Sequence, residues 1–299
     1  MRNPLIVAHG ARPHRNYPPN TLKGVLECSS SGFSHIEVDI TAQENGEFFL
    51  FHNEKFDLLT NKKGNVFNID KSNMGNLWYT NNNREKTDPV SSLSELVKII
   101  ETDAGNISEL QLDFKIYPSS LITEEIIGSF LKIIDPVKPK IRITSCADWI
   151  ILKIHELDTD IKLGFDPQFY IDFRDRASGD YPPFKKNHFG YSDDHPISMQ
   201  NWDKPKDYLE SRAVSLLNIG SVADIWYIRY SFIIKSYQDG FDWVRFLHTR
   251  GIKICAWTID ITEDKNMESR KEIKLLMQMG VDRITTNTPA AWRKLIENS

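Results

Sequence analysis

The sequence predicts an eight-stranded α/β barrel, a (β/α)8 TIM barrel with a small insertion after its second strand. Short apolar runs bounded by turn residues recur along the chain, as strands buried on both faces require. Segments with apolar residues at helical spacing stand between them, and this alternation implies a parallel sheet. Polar side chains gather where the strands end, the face on which such barrels carry their chemistry. The 299 residues suit one barrel domain over 1–299.

Leu5 to Ala8 is the first apolar run, ending at His9-Gly10, and the Pro-, Arg- and Asn-rich stretch to Asn20 is a loop. Thr21 caps a helix from Leu22 to Ser29, closed by Gly32. His35 to Ile40 is the second strand. Asn45-Gly46 marks a hairpin turn, and Phe48 to Phe51 return as an apolar strand that brings His52 back toward the second strand's end. Residues 53–88, rich in asparagine, read as a looped insertion, including Asn73. Helices are expected over Ser92–Thr102, Thr123–Ile134 and Ala147–Leu157, with strands over Leu110–Ile116, Lys140–Ser145 and Ile161–Phe165. From Asp166 to Arg212 the periodicity dissolves into aromatic and polar residues, Tyr181 among them, as in a lid. Its rings either stack on a hydroxyl-rich substrate or pack the lid onto the barrel. Ala213–Ile219 is the sixth expected strand, Lys253–Ile259 the seventh and Asp282–Thr286 the eighth. Helices over Phe241–Thr249, Glu272–Met279 and Pro289–Ile296 complete the pattern.

Composition narrows the function. A net charge of −4 without a basic block speaks against nucleic acid or an anionic membrane as partner. No run reaches the ~18 apolar residues needed for an integral membrane segment. Arg2 leads almost directly into the first strand rather than into a secretory leader, so a cytoplasmic location is expected. Cys28, Cys146 and Cys255 are odd in number and lack metal-ligand spacing, and read as buried free thiols in a reducing compartment. The oligomeric state is open.

Glu37 and Asp39 leave one face of the second strand two residues apart. Paired carboxylates repel unless a cation joins them, and Mg²⁺ or Ca²⁺ takes oxygen ligands of this kind. An exposed polar strand edge is the competing reading. Asp113 and Lys115 repeat the spacing on the third strand. Asp113 can complete a three-carboxylate metal site and Lys115 can meet an anion beside it, although a local salt bridge would also account for them. His9 and His52 come from different strand ends, as an acid and a base flanking a substrate require. His9, Asp39, Lys115, Ser145, Asp260 and Asn287 all fall at strand ends.

Taken in order, these motifs resemble the glycerophosphodiester phosphodiesterase family over nearly the whole chain. Ala8-His9-Gly10-Ala11 matches that family's Ala-His-Arg-Gly-Ala without the arginine, and Pro18-Pro19-Asn20-Thr21 has proline for the glutamate of Pro-Glu-Asn-Thr. Glu37 and Asp39 match Glu-x-Asp, and His52 follows Glu37 by the family's 15 positions. Asp57, Thr60 and Gly64 fit the segment after that histidine. Asp113-x-Lys115 stands for Glu-x-Lys, Trp257-Thr258-Ile259-Asp260 for Trp-Thr-Val-Asn, and Gly280 to Pro289 for the closing Gly-Val-Asp motif. The resemblance implies a barrel with one divalent ion, Mg²⁺ or Ca²⁺, on Glu37, Asp39 and Asp113. It implies His9 and His52 as the acid–base pair, Lys115 on the phosphate and Trp257 against the alcohol of a small-molecule phosphodiester. Arg12, Arg15 and Arg142 are the candidates to replace the missing arginine, and Asn287 of the closing motif is a further expected substrate-binding residue. The lost arginine, Asp-x-Lys and the closing Thr-Asn-x-Pro are similar to the sphingomyelinase D branch, whose enzymes form a cyclic phosphate, although no cysteine lies near His52 to make that branch's loop disulfide. Hydrolysis of a glycerophosphodiester or a related polyol or sugar phosphodiester is the expected activity; a cyclising lyase and a barrel that only binds a phosphorylated ligand are its alternatives.

Overall fold

The computed structural model describes residues 3–69, 75–103, 105–174, 182–261 and 267–297. In chain order the strands are β1 (Leu5–Ala8), β2 (His35–Ala42), β3 (Phe48–Leu50), β4 (Trp78–Thr80), β5 (Lys86–Pro89), β6 (Glu109–Lys115), β7 (Ile141–Ser145), β8 (Lys162–Phe165), β9 (Ile225–Arg229), β10 (Lys253–Trp257) and β11 (Arg283–Thr286). The helices among the described residues are α1 (Leu22–Ser30), α2 (Leu93–Thr102), α3 (Glu124–Ile134), α4 (Asp148–Leu157), α5 (Pro205–Ile219), α6 (Tyr230–Gln238), α7 (Trp243–His248), α8 (Met267–Met279) and α9 (Pro289–Glu297). Eight strands run parallel in the order β1, β2, β6, β7, β8, β9, β10, β11, and Ala8 opposite Ile36 closes the ring. The fold is a (β/α)8 barrel.

Local chemistry explains the boundaries. Thr21 and Thr123 accept backbone N–H groups at the starts of α1 and α3, and Ser92 with Glu95 forms a reciprocal capping box on α2. The Asn45-Gly46 turn joins β2 to the antiparallel β3, with Gly46 in the left-handed region at φ 82°.

The sixth strand stands elsewhere than expected. Ala213–Ile219 is the end of α5, and the strand is β9, followed by the unforeseen α6. Tyr208, Leu209, Arg212, Ala213 and Leu216 are the buried face of α5. Arg212 hides the helical period because a charged residue occupies an inward position, where Asp193 accepts its Nε at 2.6 Å. The insertion is also more ordered than a loop. β4 and β5 pair antiparallel, and Phe49, Phe51, Phe56, Val66, Leu77, Tyr79 and Val90 form a second apolar cluster. Asn73 and Tyr181 lie outside the described residues. In the described part of the lid segment, Tyr191 and Tyr208 are buried and Tyr170, Phe173, Phe189 and Trp202 pack against the main core. These six rings pack, whereas Phe184 of the same segment is exposed.

The lower interior of the barrel is ionic. Glu109 receives Arg142 Nε at 3.0 Å and both terminal nitrogens of Arg283, while Arg142 also holds Asp224. Burial opposes ionisation of Glu109, yet the two guanidiniums pull its carboxyl down to about 2. Arg142 is thus committed at the N-terminal end of the barrel and does not replace the missing arginine. Above this layer the Tyr227 ring crosses the interior, and Gly164 makes room for it: a β-carbon there would stand 2.4 Å from the ring.

Gly164→Ala should destabilise the protein by about 1–3 kcal/mol, the usual scale of overpacking. Urea unfolding measures this; a loss below ~0.5 kcal/mol would show that the Tyr227 floor yields freely.

Candidate active site

The site is built at the C-terminal mouth, where strand alternation aims Glu37, Asp39 and Asp113 inward. One oxygen from each lies within 4.8 Å of the others. Lys115 Nζ stands 2.5 Å from Asp113 Oδ2 and 2.9 Å from Asp39 Oδ1. The contact to Asp39 is off hydrogen-bond alignment, so that buried Oδ1 has no hydrogen-bond donor. Thr144 donates to Asp113 Oδ1 at 3.1 Å, and the Gly10 amide to Glu37 Oε2 at 2.6 Å.

Charge compensation here is uneven. Burial, reinforced by Asp39 and Asp113, pushes Glu37 well above the ordinary carboxylate range. Burial works against Asp39 as well, but Lys115 and both candidate histidines hold it low. Burial disfavours the Lys115 ammonium, yet Asp113 and Asp39 overcome this and raise it. Three acids facing one lysine leave negative charge in excess. Hard oxygen donors, an Asp39 oxygen with an ion pair but no aligned hydrogen bond, and a Glu37 that resists ionisation together fit a divalent cation of the Mg²⁺ or Ca²⁺ type.

The loop after β1 sets this geometry. Gly10 and Ala11 take left-handed φ values of 58° and 53°, and Asn20, at φ 56°, donates its backbone N–H to Gly10 O at 2.7 Å. The Asn20 side chain then brackets Asp39, donating to Oδ2 at 2.8 Å and accepting the Asp39 amide at 3.0 Å. Asn20 was legible only as part of a motif. Its role comes from a loop conformation that asparagine tolerates better than most residues.

His9 follows β1. Its Nδ1 is 2.8 Å from Asn287 Oδ1, an acceptor, which assigns the proton to Nδ1 and leaves Nε2 facing Glu37 at 3.8 Å. Asn287 is in turn held by Asp260, which accepts its backbone N–H at 2.8 Å and its side-chain amide at 3.0 Å. The Asn287 side chain, expected on the substrate, is instead engaged by His9, Arg12 and Asp260. The His9 side chain is 32% open to the cavity, yet the surrounding protein strips hydration from its cation and lowers its pKa, while Asp39 and the Asn287 bond act the other way.

His52 is exposed on the same cavity, its Nδ1 2.8 Å from Asn53 Oδ1. Thr41 of β2 donates to Phe51 O at 2.6 Å, anchoring the backbone beside it. Arg12 folds back over Gly10 and donates to Asn287 Oδ1 at 3.1 Å. A β-carbon at position 10 would stand in ordinary contact with its Nε at 3.6 Å, so it is the left-handed φ of 58° that favours glycine here. Arg15 is exposed and is not in the cavity wall. Asp57 and Gly64 shape the insertion, the Gly64 amide donating to Asp57 at 3.0 Å. Ser145, at the end of β7, donates to Phe114 O of β6 and accepts the Ala147 amide.

The cavity measures about 960 Å³, and Trp257 forms part of its wall. Thr258 beside it adopts φ 63°, a costly conformation for a β-branched residue and one that clusters at functional sites. Arg229, at the end of β9, lines the cavity and lies 4.1 Å from the centre of the Trp257 ring. Sequence reasoning missed it because β9 was placed too early; its signal was the apolar run Ile225 to Ile228 ending in a cation. Among the described residues the thiols of Cys28, Cys146 and Cys255 are free and buried.

No family model matches the chain, and no curated protein matches it. Solved structures do. A glycerophosphodiester phosphodiesterase from Parabacteroides distasonis superposes with a TM-score of 0.66 at 15% identity, over 99% of this chain and 98% of its own. An Oleispira antarctica phosphodiesterase, in complex with its product sn-glycerol-3-phosphate, gives 0.65 at 15% identity over 99% and 97%. At these identities the likeness establishes the barrel fold.

In metal-free protein the His9 imidazole should titrate below its ordinary value of 6.5. Asn287→Ala, by removing the bond that favours the cation, should lower the midpoint further. Because the unfolded chain then binds the proton more readily, His9 withdraws stability as pH falls through 6.5 toward the folded midpoint. NMR titration of the ring reads both effects; a midpoint at or above 6.5 would contradict the assignment.

Proposed function

We propose that this protein is a divalent-cation-dependent phosphodiesterase that hydrolyses glycerophosphodiesters, or a related polyol or sugar phosphodiester, to an alcohol and a phosphomonoester. The observation that carries the reading is the meeting of three inward carboxylates and two histidines at one barrel mouth, with Lys115 among them. Likeness of fold to phosphodiesterases adds support by analogy. The product in the Oleispira structure makes sn-glycerol-3-phosphate the natural monoester to look for.

Glu37, Asp39 and Asp113 would hold the ion, Mg²⁺ or Ca²⁺, which when bound supplies concentrated positive charge beside the phosphate. Lys115 adds its ammonium to the same oxygens, and Arg12 contributes positive charge from behind Gly10. His9, kept neutral by its surroundings and oriented through Asn287, accepts a proton at Nε2 from the attacking oxygen. His52, more open and tied at Nδ1, delivers a proton to the leaving alkoxide. Trp257 walls the alcohol side. The buried thiols suit a reducing, cytoplasmic setting.

Phosphorus NMR of glycerophosphodiesters with the protein and Mg²⁺ or Ca²⁺ should show monoester growth that stops with chelator. His9→Ala and His52→Ala should each cut the rate at least ~10²-fold. A cyclic phosphate signal would replace hydrolysis by internal transfer, and an unchanged spectrum would leave a barrel that only binds.

A further inference from the structure

The cavity has a second charged wall that the reaction described above does not use. In the closed ring β9 is the fourth strand from β2 in either direction, so Arg229 faces the β2 carboxylates across the mouth. Two contacts fix its guanidinium. Nε donates to the carboxylate oxygens of Asp172 at 3.2 and 3.1 Å, and the plane rests against Trp257. Asp172 is 1% exposed and also accepts Arg174 Nε at 2.5 Å. Arg174 lines the same cavity.

The terminal nitrogens of Arg229 have no hydrogen-bond partner among the described residues, although the side chain is 21% exposed and lines the cavity. A guanidinium anchored by Nε and stacked on a ring offers its outer edge in a set direction. That edge matches a carboxylate or phosphate with two parallel hydrogen bonds. Lys115 and Arg12 already crowd the carboxylate side, so Arg229 meets what extends beyond the scissile phosphate. A cavity of about 960 Å³ has room for both halves of a diester.

We propose that Arg229 forms an anion subsite for the alcohol half of the substrate, so that the preferred diesters carry an acidic group on that alcohol. This rests on the phosphodiesterase reading and adds the chemical class of the alcohol. Cationic alcohols such as choline are disfavoured at this wall, and neutral polyols are intermediate.

The test compares four glycerol phosphodiesters whose second alcohol is glycerate, glycerol phosphate, glycerol or choline. The first two separate a carboxylate from a phosphate as the acidic group. Wild type should favour at least one acidic diester over the choline diester by ~10-fold or more in kcat/KM, the scale of one charged contact. Arg229→Gln should erase most of that ratio, and Arg229→Lys should retain part of it by keeping charge while losing the fork. Because the ratio is read within each variant, loss of folded protein cancels. Turnover of the neutral diester with no preference among the four, or a ratio intact in Arg229→Gln, overturns the subsite alone. Turnover of none overturns the phosphodiesterase reading and the subsite with it.

Discussion

Glu37, Asp39 and Asp113 place three carboxylate oxygens within 4.8 Å of one another at the end of a largely closed barrel, and much of the surrounding structure answers that repulsion. Lys115 bridges two of them, Thr144 donates to the third strand's acid, and Asn20 brackets Asp39. The left-handed turn at Gly10 aims a backbone amide at Glu37. These groups lessen the charge without balancing it. Carboxylates gathered in this way repel one another less with a cation among them.

The histidines depend on separate supports. His9 is oriented through Asn287 and Asp260, so its tautomer is decided by residues of the last two strand ends. His52 depends on the insertion, whose own apolar cluster and the Tyr79 hydroxyl on Leu50 O brace the segment from which it projects. One ring is thus held by polar bonds to the barrel, and the other by packing outside it. The wall opposite the carboxylates is supported in a third way, with Asp172 gathering Arg174 and Arg229 as Asp193 gathers Arg212 and Tyr208.

Residues whose roles follow from strand periodicity were legible in the sequence. A period of two put Glu37 beside Asp39 and Asp113 beside Lys115, and apolar runs marked seven of the eight barrel strands. Buried polar partners were not legible. Arg212 disguised α5 as the end of a lid, which displaced the sixth strand and concealed Arg229. Arg142 looked available because its buried acceptors, Glu109 and Asp224, lie 33 and 82 residues away in sequence. Asn287 looked like a ligand for substrate because a side-chain amide shows no sign of the partners that occupy it. Long-range hydrogen bonds leave no local pattern, and these differences arise from them.

The account stands on the acidic cluster being a cation site, and calorimetric titration of metal-free protein with Mg²⁺ and Ca²⁺ tests this most directly. The account predicts heat for one ion per chain with at least one of them, a higher unfolding temperature in that ion's excess, and loss of both in Asp39→Asn. Absence of heat and of thermal protection with both ions, or an Asp39→Asn protein that binds like wild type, would contradict it.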